Sequence, residues 1–310
     1  MSASFLGIDI GGTTVSLGLV DAHGKIKSKR EIPTIMNEAP QKLVDRISSA
    51  ALAAAKTEAI SRVGAGIAGL IDHRRGVVRF SPNLSGWNDI PLADMLYERF
   101  RVPVAVGNDV NVIAWGEFKF GGYETKDLFC FTLGTGIGGG IISGGRLILG
   151  ANDAAGEFGH TSFERQGLKC LCGLKGCLES YVGTRYLVKA ARRRMKKGSP
   201  LMKLASSHEL TPKLLAAAAR QGDQVAREIF TEAGERIGRA LGNVVQLLDP
   251  DVIVINGGIS RAGELILLPI RESLKRYTMP LKDRRLRVLR SRLGDKAGIL
   301  GAAALTDIVS

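Results

Sequence analysis

The chain presents one local pattern twice, and that repetition narrows its possible folds more than any single motif. Residues 5–11 form a short apolar run, "GG" follows, 15–21 is a second run, "AHG" turns the chain, and 25–32 is a third. Near the middle, 128–133 is again an apolar run, "GTGIGGG" a turn, 141–143 a strand and 146–149 another. Short β-prone runs bounded by glycine and polar residues are strands joined by tight turns. A strand–strand–strand opening at 5 and again at 128 is an internal repeat of domain scale, so the expected fold is α/β with two related lobes. The border falls near 117–127, where "GGYETKD" provides a hinge.

Between and after the openings the pattern is mixed. Helical spacing of Ile, Leu and Val predicts helices over 39–59, 110–120, near 180–197, over 212–220, 223–248 and 261–277, and a small-residue helix from 296. Strands are expected at 63–67, 102–106, 251–256 and 286–290. At 310 residues the chain suffices for two domains, and with 45% hydrophobic but only 5% aromatic residues the core must be aliphatic. The net charge of +13 invites a nucleic-acid reading. Its local runs, "RRRMKK" at 192–197 and "KDRRLRVLRSR" at 282–292, lack interleaved aromatics for base stacking. They read as solvated faces, and no nucleic-acid partner is expected. No apolar run approaches the roughly 20 residues of a membrane helix. "MSASFLGIDIGG" has no basic n-region or cleavage site, so the expected location is cytoplasmic, with no membrane partner.

"GIDIGGTT" and "LGTGIGGG" both put glycines where two strands meet, at corresponding places in the two lobes. Backbone N–H groups there can face phosphate oxygens without Cβ interference, and Thr13, Thr14 and Thr135 add hydroxyls. Neither turn leads directly into a helix as a dinucleotide fingerprint does, and no G-x-x-x-x-G-K-[ST] is present. Two such hairpins suit a clamp on one nucleotide. Asp9, beside the first turn, is either a turn aspartate or a carboxylate for the Mg²⁺ that accompanies ATP. "NGGIS" at 256–260 ends a buried strand and opens a helix, where ligands sit in open α/β sheets. In "VPVAVGNDVNVIAWGEF", Asp109 is either a helix N-cap or an acceptor for the proton of a substrate hydroxyl in phosphoryl transfer.

"KCLCGLKGCLE" at 169–179 spaces Cys170, Cys172 and Cys177 as C-x-C-x₄-C, with Gly173 and Gly176 for tight folding. Three clustered cysteines are not a disulfide framework. With His160 of "GEFGH" they would make a closed Cys₃His zinc set, the alternative being free buried thiols. Such a zinc, with every ligand position taken, is a clip and not a catalyst. It would fix Glu157 and Glu179 on its flanking loops, where carboxylates and Asn side chains suit a ring of sugar hydroxyls. Glu179 can equally be a first-turn helix acid. Cys130 reads as a buried strand residue.

With these residues assembled, the chain closely resembles the ROK family of repressors, open reading frames and sugar kinases, and within it the bacterial glucokinases. The resemblance rests on "DIGGTT" (9–14), "SPNLSGWNDIPL" (81–92), "GNDVN" (107–111), "LGTGIGGG" (133–140), "GEFGH" (156–160), "CLCGLKGCLE" (170–179) and "INGGIS" (255–260), in order along essentially the whole chain. It implies the actin-like, ribonuclease H-like ATPase fold of sugar kinases, with two lobes around a cleft. The first lobe would be 1–118 plus a returning helix at about 296–310, the second 119–295 with the cysteine knuckle. It implies ATP-dependent phosphorylation of a hexose at its 6-hydroxyl, glucose first, the alternatives being an N-acetylglucosamine or N-acetylmannosamine kinase and, behind it, a sugar-sensing regulator without a DNA-binding domain. Asp109 would be the general base; Asn108, Glu157, His160 and Glu179 would hold the sugar, with Gly69 and Asn83 at sugar-loop positions. Asp9, Gly11, Gly12, Thr13 and Thr14, together with Gly134, Thr135, Gly136, Gly138 and Gly139, would serve the phosphates and Mg²⁺. Gly257 and Gly258 would lie on the adenosine side. A structural Zn²⁺ would fall on His160, Cys170, Cys172 and Cys177. A homodimer or tetramer is expected. The chain departs from the Lys many members carry at the position of Thr14. Repressors of the family carry a winged helix-turn-helix first; "DIGGTT" begins at residue 9, and none is expected here.

Overall fold

The computed structural model describes residues 4–309. β1 (Ser4–Ile10), β2 (Thr14–Val20) and β3 (Ile26–Pro33) form the antiparallel opening. They are followed by α1 (Pro40–Ala55), β4 (Ile60–Ile67), β5 (Leu70–Asp72), β6 (Val77–Phe80), β7 (Asn88–Ile90), α2 (Leu92–Phe100), β8 (Val104–Asn108) and α3 (Asp109–Phe120). The second opening is β9 (Leu128–Thr132), β10 (Gly139–Ser143) and β11 (Arg146–Ile148). After it come α4 (Glu179–Val182), α5 (Thr184–Arg194), α6 (Pro200–Ala205), α7 (Pro212–Arg220), α8 (Gln224–Leu248) and β12 (Val252–Asn256). The chain ends with α9 (Glu264–Arg276), β13 (Arg287–Arg290), α10 (Ala297–Ala303) and α11 (Thr306–Val309).

One sheet has the order β3-β2-β1-β4-β8 and another β11-β10-β9-β12-β13. Strand for strand the two orders correspond. The pattern read twice in the sequence is a repeat of topology, with β1, β4 and β8 parallel in one sheet and β9, β12 and β13 parallel in the other. Parallel pairing requires crossover connections, and the helices between these strands supply them.

In the first sheet the period-2 pattern sends Leu6, Ile8 and Ile10 of β1 and Val15, Leu17 and Leu19 of β2 into one core with Leu43, Val44 and Ile47 of α1. Each such side chain contributes roughly 1.5–3 kcal/mol on burial. On the opposite face, glycines of β1 and β4 leave bare backbone under α10. A Cβ on Gly64 would lie 1.7 Å from Ala302 O, and one on Gly7 2.0 Å from Ile299 O. The small-residue helix α10 therefore rests directly on the sheet, and any larger residue at Gly64 must displace it.

Contacts divide the chain into two compact units, one of Met1–Lys126, Gly140–Gly156 and Arg292–Ser310, the other of Asp127–Gly139 and Glu157–Ser291. The border therefore differs from the expected 1–118 plus 296–310 against 119–295. Residues 140–156 join the first unit because local bonds hold them there. Gly140 packs against Val110, Asn111 and Ala114, and Asp153 Oδ2 accepts the His73 N–H at 3.2 Å. The second unit's core is largely aliphatic, with Ile229, Ile237, Leu241, Ile253 and Ile255 fully buried, but Phe129, Phe131 and Phe158 pack together within it.

Several element bounds also differ from expectation. The helix expected near 180–197 is broken at Gly183, whose extended backbone (ψ 167°) separates α4 from α5. The helix expected from 261 starts at Glu264, after a 3-10 turn. α1 stops at Ala55 because Lys56 takes φ +52°. The β5-β6-β7 sheet and helices α2 and α6 were not foreseen: strands of three or four residues are too short to show a period. The basic run 192–197 is solvated, with Arg194 bonded to Glu228 and Glu232 at 2.6 and 2.7 Å. Among the described residues no helix is long and apolar enough to cross a membrane.

Candidate active site

In the first unit, the β1–β2 turn places Gly11, Gly12, Thr13 and Thr14 at the surface. The Gly11 N–H donates to Thr14 O at 3.0 Å, and Thr34 Oγ1 donates to Gly11 O at 2.7 Å, so the turn is held from two sides. Asn83 packs against it: a Cβ on Gly12 would lie 3.2 Å from the Asn83 Cβ. A residue expected at the sugar loop thus adjoins the first glycine turn.

β8 ends and α3 begins at the pair Asn108–Asp109, where strand C-termini of parallel sheets gather chemistry. Asn108 is the N-cap: its Oδ1 accepts the N–H of Val110 at 2.9 Å and of Asn111 at 3.2 Å, and its Nδ2 donates to Gly69 O at 3.1 Å. Capping therefore does not account for Asp109, which corrects the N-cap alternative. The same network explains why Gly69, Asn108 and Asp109 lie together although "GLID" and "GNDVN" are far apart in sequence. Asn111, the second Asn of "GNDVN", is buried at 4% exposure and its Oδ1 has no hydrogen-bond partner. Native buried acceptors are nearly always paired, so Asn111 joins the candidate residues. The motif contained it, but nothing in the sequence distinguished it from a core-facing helix residue.

Asp9 sits one residue before the end of β1 and against the start of α10; a Cβ on Gly298 would lie 2.2 Å from its Oδ2. Burial pushes its carboxyl up to about 6, with the nearby Asp109 charge adding to the rise and Lys29 opposing it. A carboxylate such as Asp9 beside a glycine turn is the donor type a hard cation such as Mg²⁺ takes. The raised value also sets the sign of a pH effect. Between the unfolded value of 3.8 and about 6 the folded chain keeps a proton that the unfolded chain has lost. This group's contribution is therefore most favourable below pH 3.8 and declines as pH rises through 6. Asp9→Asn is expected to stabilise the ligand-free protein at pH 7.5 by up to about 3 kcal/mol, the gain vanishing near pH 4. Urea titrations of both proteins across pH 4–8 measure it; parallel stability curves would refute it.

In the second unit, four segments meet around the 133–139 turn. Leu133 N–H donates to Asn256 O at 2.9 Å, and Ile259 N–H donates to Leu133 O at 3.1 Å. The "LGTGIGGG" and "INGGIS" turns are thereby stitched side by side. Gly257 must be glycine, since it takes φ +90° and a Cβ there would lie 2.4 Å from Leu133 O. Gly258 faces open space. The "GEFGH" turn packs on Ile137 through Gly159. Glu179 opens α4, as the helix-acid reading required, and its Oε2 also accepts the Ile137 N–H at 2.8 Å. Gly134, Thr135, Gly136, Gly138, Gly139, Gly257, Gly258, Glu157, His160 and Glu179 thus belong to one neighbourhood of this unit.

The cysteine knuckle adjoins them. The ligand atoms of His160, Cys170, Cys172 and Cys177 all lie within 4.8 Å of one another. Cys170 Sγ is 3.7 Å from His160 Nδ1, and Cys172 Sγ is 3.7 Å from Cys177 Sγ. A tetrahedral centre with zinc–sulfur bonds near 2.3 Å has sulfur–sulfur edges of about 3.8 Å, so the donor set fits such an ion in both chemistry and spacing. With Nδ1 turned to the thiols, His160 Nε2 lies 4.0 Å from Glu157 Oε2, a contact longer than a hydrogen bond. Cys130 is apart from this set, buried in β9.

The two corresponding sheets, with glycine turns and acidic side chains at strand ends, define an α/β protein of the two-lobed actin-like sugar-kinase fold. The ROK family model matches residues 5–308, and the chain belongs to the ROK family. It is 39% identical over 312 residues to the glucokinase of Streptomyces coelicolor, covering 97% of this chain and 96% of that protein. It is also 39% identical to the glucokinase of Thermotoga maritima, with the same coverage. The crystal structure of a ROK family glucokinase from Streptomyces griseus in complex with glucose and AMPPNP superposes with a TM-score of 0.86 at 40% identity, covering 98% of this chain and 99% of that one.

Proposed function

We propose that this chain is a sugar kinase that transfers the γ-phosphoryl group of ATP to the 6-hydroxyl of glucose. The observation that carries this reading is the identity of 39–40% with glucokinases, one solved with glucose and an ATP analogue, along nearly the whole chain. The site geometry supports it. In this reading Asp109, with helix capping delegated to Asn108, accepts the proton of the 6-hydroxyl as the phosphoryl group departs. Asn108, already bonded to Gly69, has an amide hydrogen left for the sugar, and Asn83, Glu157, His160 and Glu179 take further hydroxyls. The turns at Gly11–Thr14 and Gly134–Gly139 present backbone N–H groups to phosphates, with Gly257 and Gly258 beside the adenosine. Asp9 would hold Mg²⁺, which when bound neutralises charge on the phosphates. Since phosphoryl transfer has a loose transition state, positioning and charge neutralisation carry most of the acceleration. The Cys₃His set would hold a Zn²⁺ that shapes the loops bearing Glu157 and Glu179.

The test is a coupled ADP-release assay with ATP·Mg²⁺ and a panel of glucose, mannose, fructose, N-acetylglucosamine and N-acetylmannosamine. Glucose is expected to give the highest kcat/KM. An N-acetylated hexose in first place would replace the glucose reading, and no turnover with any sugar would remove the kinase reading.

A further inference from the structure

Two side chains from outside the 133–139 turn hold it at its two ends. At one end Glu179 Oε2 accepts the Ile137 N–H at 2.8 Å, and a Cβ on Gly136 would lie 2.8 Å from that oxygen, so the carboxylate rests on bare backbone. At the other end Thr184 donates twice to Gly134 O, from its N–H at 3.1 Å and from its Oγ1 at 2.9 Å. The two residues open consecutive helices, Glu179 starting α4 and Thr184 starting α5, with the extended Gly183 between them. The break in the expected single helix is what lets both reach the same turn.

The consequence follows from peptide geometry. In a planar trans peptide the C=O of one residue and the N–H of the next point in opposite directions. With Gly134 O turned to Thr184, the Thr135 N–H is aimed away from α5. Gly136 O is likewise engaged, accepting the Gly134 N–H at 3.1 Å. A turn with glycine at 134, 136, 138 and 139 would otherwise sample many backbone states, each to be lost again on binding a ligand.

We propose that Thr184 is a positioning residue for the phosphoryl donor, fixing Gly134 O so that the Thr135 N–H faces a phosphate oxygen, while Glu179 locks the turn's far end. Its ligand assignment rests on the kinase reading above. The clamp itself rests only on the bonds just described.

Thr184→Val keeps the side-chain shape and the backbone N–H but removes the hydroxyl. Loss of one neutral hydrogen bond predicts a rise in the KM and the calorimetric Kd for ATP of roughly 3- to 10-fold. The glucose KM should change less than about 2-fold, since no sugar candidate is touched. Thr184→Ser should restore the wild-type values. Amide hydrogen exchange over 134–138, measured without any ligand, should accelerate in Thr184→Val by a similar factor. Should Thr184→Val fold poorly, Thr184→Ala carries the same expectations. Unchanged exchange, or equal rises in both KM values, in a protein whose wild type binds ATP overturns the clamp and leaves the kinase reading standing. A wild type that binds no ATP overturns the kinase reading and the donor assignment with it.

Discussion

Asp109→Asn is expected to lower kcat for glucose phosphorylation by roughly 10²–10⁴-fold, the usual contribution of a positioned general base. ATP affinity and melting temperature should stay close to wild type. That combination follows from the division of labour at the end of β8. Asn108 supplies the cap, accepting from Val110 and Asn111, so α3 keeps its first turn when Asp109 loses its charge. An ordinary N-cap aspartate would show the reverse, a loss of about 1 kcal/mol in stability with catalysis intact. Removing the Asp109 charge also removes one of the influences that raise the Asp9 carboxyl, so the Asp9 value should move down from about 6. Single-turnover kinetics, ATP calorimetry and a thermal melt on one preparation separate these outcomes. Turnover near the wild-type rate would take Asp109 out of the proton-transfer role.

Cys172→Ser is expected to cost both the metal and the sugar. Elemental analysis of wild-type protein purified without chelators should find zinc, and the variant should have lost it, because a serine hydroxyl at that place is a far poorer zinc ligand than a thiolate. The hexose KM should rise at least about 10-fold, the lower range seen when the surroundings of a metal site are disturbed. The reason is position along the chain. His160 is one of the four converging groups and stands 4.0 Å from Glu157, while Glu179 follows Cys177 by two residues at the start of α4. Loosening the knuckle loosens the carboxylates of both candidate sugar-binding loops. A strong chelator should reproduce the effect in wild type, and added zinc should reverse it in wild type but not in the variant. Wild-type protein that holds no zinc as purified, or whose hexose KM is unchanged when its metal is stripped, would refute the clip.

Much of this was legible from residues alone. Alternating aliphatic residues with glycine punctuation mark β1, β2, β9 and β10, because strand period and turn chemistry are local properties of a few neighbours. Cys170, Cys172 and Cys177 mark a candidate metal set for the same reason: the donor type and the short loops between them are written in adjacent positions. The β5-β6-β7 sheet stayed hidden because strands of three or four residues carry no measurable period, and the unit border because 140–156 is assigned by what it packs on and not by its composition.

What the amino-acid order settled by itself was therefore the repeat, the glycine turns, the thiol and carboxylate inventory and the family they jointly identify. What only the folded chain decided was which of two readings each side chain takes. Asn108 and not Asp109 caps α3, with Gly69 as its distant partner. Glu179 begins a helix and also holds Ile137, and Thr184, silent in the sequence, grips Gly134. Those choices depend on atoms tens of residues apart meeting within 3 Å or so, and such distances are set by the packing of whole sheets and helices, to which no short window of sequence has access.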